Sequence, residues 1–279
     1  MTDARISYGK LDVPVHLVRG ERLLAADVSL EVLGQGFLPA YTEGDNTNVV
    51  ATDTMKNVIL RRAHEYDGAT LEGLLDELGR GFLSTYPEME GVRVSAARQP
   101  WVAEPGGKLF RRVDGDHAVA ELELARTGGG GAIEVVDARS GQVGLRLLKT
   151  TGSAFTRFAR DGDTTLPERL DRPLFLHLDV HWRYGDPADA TGERHVAPED
   201  VLAVLLEVHD AFVSESIQHL VYEVGTTLLQ RFPALAQVSF RGENHTHDPV
   251  PGAADAPPER KTYTSPFPAW GLITLVLDR

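Results

Sequence analysis

The sequence predicts an α+β protein made of two tandem units, each with two strands, two helices and two further strands. Apolar residues alternate along paired stretches, as in half-buried strands, and recur at helical spacing in the segments that follow. Four adjacent glycines at 128–131 then mark a connection, after which the same element order begins again. We therefore predict one unit at residues 1–130 and a second unit at residues 131–279.

The bounds of each predicted element follow from the hydrophobic pattern. In the first unit, we expect strands at 5–19 and 23–33, helices at 54–66 and 71–83, and strands at 91–103 and 108–125. In the second unit, we expect strands at 132–148 and 173–184, helices at 200–213 and 216–232, and strands at 237–241 and 272–277. The polar connection 149–172 and the proline-rich segment 249–268 are predicted loops, the latter ordered or partly disordered.

The composition excludes several classes of protein. The 279 residues carry a formal net charge of -13, which disfavours sequence-independent binding to nucleic acid or to an anionic membrane. The chain has no cysteine, which excludes disulfides, thiolate nucleophiles and cysteine metal sites. The first residues lack an apolar signal core and no apolar run reaches membrane-spanning length, so we expect a cytoplasmic protein.

Residues 48–57 lead from an apolar segment through a polar step at Thr52 and Asp53 into a predicted helix. Asp and Thr are favoured N-cap residues, and the backbone N–H groups at a helix start attract anions. Lys10 shares a predicted strand face with Tyr8, where desolvation would lower the pKa of its amine. A lysine beside Thr52 would make the threonine hydroxyl a candidate proton-transfer group. The alternatives are a capped surface helix and a lysine whose amine reaches water.

The connection 149–172 and two later amides offer groups that could bind a ligand. Phe155 and Arg172 on one loop could stack on, and hydrogen-bond around, a flat, oxygen-rich heterocycle. The alternative is that Phe155 fills a local core and Arg172 pairs with Asp171. Gln218 and Asn244 each offer an amide donor and acceptor, although such residues are also common as caps and turn residues.

The histidines are too weakly patterned to predict a metal centre. His177 and His181 share one strand face, and His245 and His247 share another, but no HExxH pattern exists. Ordinary half-buried histidine is the competing interpretation. GxSxG, P-loop and dinucleotide-binding motifs are also absent, so nucleotide phosphate binding is not expected.

Taken together, these motifs resemble those of urate oxidase, the cofactor-free uricase family, over nearly the whole chain. The matching residues are Tyr8-Gly9-Lys10, Val50-Ala51-Thr52-Asp53-Thr54-Met55-Lys56-Asn57, Lys149-Thr150-Thr151, Phe155, Arg160-Asp161, Thr164-Thr165-Leu166, Asp171-Arg172, Ser216-Ile217-Gln218 and Asn244. The resemblance implies the tunnelling fold, with two chains closing a barrel and two barrels forming a homotetramer. Pairing between subunits would also remove the open strand edges that a one-sided sheet leaves.

The resemblance also implies a role for each matching residue. Lys10 would deprotonate Thr52, and this pair would take a proton from urate. Phe155 would stack on the purine, while Arg172 and Gln218 would bind its edge.

Further contacts implied by the resemblance come from backbone groups and an amide. Asp53 and Ile217 would contact the substrate through their backbones, and Asn244 would hold dioxygen or water. Lys10, Thr52 and Asp53 would come from one subunit and the other groups from its neighbour, at a dimer interface.

The sequence departs from the family pattern at one site. The relay of the family usually ends in a histidine two residues after the asparagine, where this chain has Thr246 between His245 and His247. Any of these three residues is a candidate for the relay.

The implied reaction consumes urate, O₂ and water and yields 5-hydroxyisourate and hydrogen peroxide, without metal or flavin. Two rival functions remain: a zinc-dependent pterin or purine enzyme of the same fold, and a non-catalytic purine-binding protein.

Overall fold

The computed structural model describes residues 5–128, 131–247, 250, 260–264 and 266–279. The strands are β1 (Ser7–Arg19), β2 (Arg22–Leu33), β3 (Gly91–Arg98), β4 (Trp101–Ala103), β5 (Phe110–Arg112), β6 (His117–Thr127), β7 (Ala132–Lys149), β8 (Leu174–Tyr184), β9 (Leu235–His245) and β10 (Trp270–Asp278). The α-helices are α1 (Leu38–Thr42), α2 (Thr52–Glu65), α3 (Leu71–Thr85), α4 (Pro198–Ala211) and α5 (Ile217–Arg231). The order of the long elements gives strand pairs, helix pairs and strand pairs twice over, as the sequence predicts.

The chain divides into two compact units that alternate along the sequence. Unit 1 contains residues 1–142 and 182–198, and unit 2 contains residues 143–181 and 199–279. Both β7 and β8 therefore contribute to each unit. The predicted boundary lies at Gly130, which is outside the described residues, and it stays a prediction.

Unit 1 is an antiparallel sheet with helices on one face. The strand order is β1-β2-β3-β6, and α2 and α3 pack against these strands. Helix α2 buries Met55 and Ile59, and α3 buries Leu74, Leu75 and Leu78, all at 0% exposure. Burying a side chain of this size contributes about 1.5–3 kcal/mol relative to leaving it exposed. The alternate residues of β2 complete this core: Leu24, Ala26, Val28, Leu30 and Val32.

Unit 2 repeats this arrangement with α5 on strands β9 and β10. These strands are antiparallel, and α5 contacts both of them. On β9 the residues that face the helix are at even positions, since Val238, Phe240 and Gly242 are buried while their neighbours are more exposed. This alternation determines the direction of the functional side chains at the end of β9.

Two local predictions are wrong. The predicted strands 91–103 and 108–125 are each divided, because β3 ends at Arg98 and the short antiparallel hairpin β4–β5 intervenes before β6. Pro100 explains the break, since proline cannot donate to a strand ladder. The N-cap of α2 is Ala51, with no capping side chain, rather than Thr52 or Asp53. Both of these residues lie inside the helix.

The short helix α1 and a 3₁₀ turn at Pro187–Ala190 were not predicted from the hydrophobic pattern. The predicted loop 249–268 lies largely outside the described residues. Among those described, no helix combines the length and the apolar character needed to cross a membrane.

Candidate active site

A β-bulge directs Lys10 toward the helix-covered face of unit 1. Lys10 pairs with Leu30 and Val13 pairs with Val28, so β1 carries one more residue than β2 between these pairs. The bulge contains Asp12, whose φ is 54°, and the Asp12 N–H donates to the Ser29 hydroxyl at 3.1 Å. Directly paired residues of an antiparallel ladder share a face. Lys10 therefore lies on the same face as the buried residues of β2.

Tyr8 and Gly9 hold this part of β1 in place. The Val50 N–H donates to the Tyr8 hydroxyl at 2.9 Å, which links the strand to the segment just before α2. Burial raises the pKa of Tyr8. A Cβ on Gly9 would lie 2.2 Å from the Leu30 carbonyl oxygen, so only glycine permits this approach of β1 to β2. Tyr8 thus connects the strand that carries Lys10 to the segment that leads into Thr52.

The start of α2 presents backbone N–H groups that no side chain caps. The first backbone hydrogen bond of the helix runs from Met55 N–H to the Ala51 carbonyl at 3.1 Å. The N–H groups of Thr52, Asp53 and Thr54 precede it, and an uncapped helix start carries partial positive charge. This end of α2 can therefore accept an anion or a polar substrate edge.

The charge of Lys10 acts on Asp53 at this helix start. A hydrogen bond from Lys56 lowers the pKa of Asp53, and the charges of Lys56 and Lys10 lower it further. The Lys56 amine lies 2.5 Å from the Asp53 carboxylate, so this carboxylate is already paired. The Asp53 backbone N–H is a separate donor at the helix start. The side-chain amine of Lys10 has no hydrogen bond or ion pair with another residue in the described part of the chain. No hydrogen bond joins Lys10 to Thr52 in that part of the chain, and the relay stays a prediction.

Backbone hydrogen bonds in unit 2 assemble a second group of candidate residues. The Arg172 N–H donates to the Ser153 carbonyl at 2.8 Å, and the Ala154 N–H donates to the Ser214 carbonyl at 2.7 Å. The segment around Phe155 is thereby held between Arg172 on one side and the chain leading into α5 on the other. The structure brings Phe155, Arg172 and the start of α5 together.

Arg172 is a partly buried cation whose guanidinium has no carboxylate partner among the described residues. Its guanidinium lies over the Phe155 ring at 5.1 Å, and its buried Nε has no hydrogen-bond partner among the described residues. Burial lowers the pKa of Arg172, and no nearby acid offsets this effect. An unpaired buried charge is costly, so this site favours an anionic ligand. Phe158 stacks on Phe155 with ring centroids 4.9 Å apart.

Asp171 is not the partner of Arg172, contrary to the alternative considered from sequence. Its carboxylate accepts hydrogen bonds from the Lys261 amine at 2.9 Å, the Thr151 hydroxyl at 2.9 Å and the Gly152 N–H at 2.8 Å. Burial raises its pKa, but these hydrogen bonds outweigh burial and the net pKa is lowered. Asp171 thus joins three segments around Phe155 and Arg172. Its partner Lys261 lies 90 residues further along the chain and could not be identified from sequence.

The start of α5 supplies Ile217 and Gln218. Ser216 is its N-cap, and its hydroxyl accepts the His219 N–H at 3.1 Å. Ile217 is 2% exposed, so only its backbone can serve a ligand, whereas the Gln218 side chain is exposed. The resemblance implies a backbone contact for Ile217 and an amide contact for Gln218, and both roles stay predictions.

Asn244 and the neighbouring histidines lie on opposite faces of β9. Asn244 continues the even positions that face the helix, whereas the His245 ring lies 4.1 Å from that of His177 on the other face. The His247 ring stacks on Phe175 at 3.4 Å. Thr246 follows the end of β9 at His245, so strand alternation does not set its direction. The relay role of His245, Thr246 or His247 stays a prediction.

Comparison with known proteins identifies relatives along most of the chain. The uricase family model matches residues 13–122 and 138–273. The uricase of Haloferax volcanii is 45% identical over 242 residues, which cover 82% of this chain and 78% of that protein. The matched segments begin after Lys10.

Solved structures show the same architecture. Urate oxidase from Bacillus sp. TB-90 has a TM-score of 0.89 and 31% identity, over 98% of this chain and 100% of that chain. Uricase from Arthrobacter globiformis has a TM-score of 0.88 and 28% identity, over 100% of this chain and 95% of that chain. The predicted α+β tunnelling fold is confirmed by these matches. The chain therefore belongs to the uricase family, the urate oxidases.

Proposed function

We propose that this protein oxidises urate with O₂ and water to 5-hydroxyisourate and hydrogen peroxide. Family membership supports urate as the substrate. The observation that carries the proposal is the partly buried Arg172 guanidinium, which lies over Phe155 and whose buried Nε has no partner among the described residues. Urate is a planar monoanion at neutral pH. It therefore offers both an anionic partner for Arg172 and a ring that Phe155 can stack on.

The chemical step is removal of a second proton from urate. Lys10, as a neutral amine, deprotonates the Thr52 hydroxyl, and the pair accepts a proton from the bound monoanion. The resulting dianion is electron-rich enough to reduce O₂ without metal or flavin. The placement of Lys10 on the helix-covered face, near the start of α2, supports this role.

Stabilisation of the extra negative charge comes from three sources. Arg172 and the backbone N–H groups at the start of α2 bind the anion, and the Lys10 ammonium formed by proton transfer adds a charge. Asn244 holds O₂ or water beside the ring, and Gln218 and the Ile217 backbone bind its edge. The peroxide adduct then loses hydrogen peroxide and takes up water.

A complete site requires two chains in this proposal. Lys10, Thr52 and Asp53 of one chain meet Phe155, Arg172, Ile217, Gln218 and Asn244 of a neighbouring chain at a dimer interface. Two such dimers form a homotetramer. Closure of a barrel between chains removes the open strand edges of each sheet, which supports assembly.

The direct test is oxidation of urate by metal-stripped protein in air. We expect loss of the ultraviolet absorption of urate together with O₂ uptake and stoichiometric hydrogen peroxide. Native mass spectrometry of the same sample measures the assembly, and a monomer with full activity would contradict the shared site.

The same experiment separates the rival functions. A zinc-dependent enzyme would lose activity on stripping and regain it with Zn²⁺. A non-catalytic binder would retain a urate analogue yet consume no O₂.

A further inference from the structure

Two histidines and one glutamate converge on the face of unit 2 that the helices do not cover. His177 lies on β8, and Glu243 and His245 lie two residues apart on the neighbouring strand β9. The Glu243 Oε2 lies 3.6 Å from His177 Nδ1 and 3.3 Å from His245 Nε2. One ligand atom from each residue lies within 4.8 Å of the other two. Three donors therefore point into one small volume.

These separations suit a bound metal ion. Zinc binds imidazole nitrogen and carboxylate oxygen at about 2.0–2.2 Å, so tetrahedral ligands lie about 3.3–3.5 Å apart. The two distances from Glu243 lie in or near this range, and small side-chain rotations would bring all three donors into it. Two histidines and one carboxylate are a ligand set that transition metals use, with further positions left for water.

The neighbours of Glu243 leave one of its oxygens directed at the histidines. Arg241 donates to the other oxygen, Oε1, at 2.7 Å. The Arg241 guanidinium in turn lies 5.3 Å from the centre of the Trp270 ring. A hydrogen-bonded carboxylate whose second oxygen is held in place is the outer support that metal ligands commonly have. The side chain of Glu243 is 19% exposed and that of His245 is 14% exposed, so both are partly withdrawn from water.

We propose that His177, Glu243 and His245 bind one divalent transition-metal ion of the Zn²⁺ or Co²⁺ type. The site lies on the strand face opposite Asn244, so the ion takes no part in the oxidation of urate. It joins strands β8 and β9 by a cross-link within unit 2. Metal bound only by the folded chain raises its resistance to unfolding.

The test is metal binding by tag-free protein that has been stripped with a chelator. Equilibrium dialysis against Zn²⁺ with elemental analysis should give one ion per chain. Co²⁺ should produce visible absorption bands of a four- or five-coordinate site. The thermal midpoint should rise with Zn²⁺ in the wild type.

Two variants locate the ion. His177→Ala and the nearly isosteric Glu243→Gln should each weaken Zn²⁺ binding by at least about tenfold and abolish the thermal shift. His219→Ala is the matched control, because His219 is exposed on α5 and its ring contacts only Phe212 among the aromatic contacts of the described chain. It should bind Zn²⁺ as the wild type does. Saturable binding that survives in both site variants, or no binding at micromolar Zn²⁺, would overturn the proposal.

Discussion

The helix starts that carry candidate site residues are built differently in the two units. Helix α2 of unit 1 follows Ala51 and has no side-chain cap, whereas α5 of unit 2 is capped by the Ser216 hydroxyl. Uncapped N–H groups at α2 leave backbone donors for a ligand. At α5 the cap uses the His219 N–H, and the side chain of Gln218 is exposed instead.

The two units also differ in the kinds of chemical group that they offer to a ligand. Unit 1 offers a hydroxyl, an amine and helix-start donors, which are groups that move protons and stabilise charge. Unit 2 offers an aromatic ring, a partly buried guanidinium and amides, which are groups suited to binding a flat anion. We expect substitutions in unit 1 to act mainly on kcat and those in unit 2 to act mainly on KM.

The largest expected effect is at the proton-transfer pair. Thr52→Val preserves side-chain shape and removes the hydroxyl, and Lys10→Met removes the amine. Each should lower kcat by about a hundredfold or more with little change in KM, as expected for loss of a general base. Steady-state O₂ uptake measures both constants. Thr54→Val, two residues further along α2, is the control and should retain most of the activity.

Replacement of Arg172 should act on binding. Arg172→Met retains much of the stem that packs near Phe155 but removes the charge, and KM should rise by about thirtyfold, about 2 kcal/mol. The ligand-free protein should become no less stable, because a partly buried cation without a carboxylate partner among the described residues has been removed. Inhibition by a urate analogue and urea unfolding check the two effects. An unchanged KM would remove Arg172 from the site.

Acid should destabilise unit 2 through His209, which lies buried near the end of α4. Burial and the neighbouring Lys149 lower the pKa of His209 from 6.5 to about 4. Between these values the unfolded chain binds more protons than the folded chain, so stability falls as pH is lowered. The full shift corresponds to about 3 kcal/mol, and partial solvent access reduces the expected loss to about 2 kcal/mol.

Urea midpoints between pH 7.5 and 4 should show this loss, and His209→Gln should flatten the dependence. His64→Gln changes an exposed histidine of α2 in unit 1 and is the control. A variant at position 209 that keeps the full pH dependence would exclude His209 as the cause.

Exchanging the caps should have the smallest effect and tests the comparison directly. Ala51→Ser should add a cap to α2 and stabilise the protein by about 0.5–1 kcal/mol, yet weaken urate binding because the hydroxyl competes for the N–H groups. Ser216→Ala should cost about 1 kcal/mol of stability and change KM little. Equal effects of the two substitutions on KM would show that the caps do not distinguish the units.

Alternation and helical spacing predicted most of the fold, because the buried faces of half-buried strands and amphipathic helices produce periodic hydrophobic patterns in the local sequence. The same alternation places Asn244 and His245 on opposite faces of β9. Alternation placed Lys10 on the strand face of Tyr8, but it could not predict that Val13 shares this face, since the extra residue of the bulge shifts the alternation by one position.

Contacts between segments that are distant in sequence could also not be predicted. Lys261 and Asp171 are brought together only by the fold, as are His177 and Glu243 on neighbouring strands. The family resemblance supplied the roles of Phe155 and Arg172. It did not indicate that Asp171 would hold them in place.

The bulge in β1 shifts the alternation of side chains by one position between Lys10 and Val13. Val13, Val15 and Leu17, after the bulge, are buried in the core. Lys10, before the bulge, is the proposed base, and a substitution there leaves these core residues in place. Asp12 makes the change of phase possible through a backbone conformation that β-branched residues resist. We expect Asp12→Val to change the direction of Lys10, the proposed base, and to lower urate turnover in a protein that still folds.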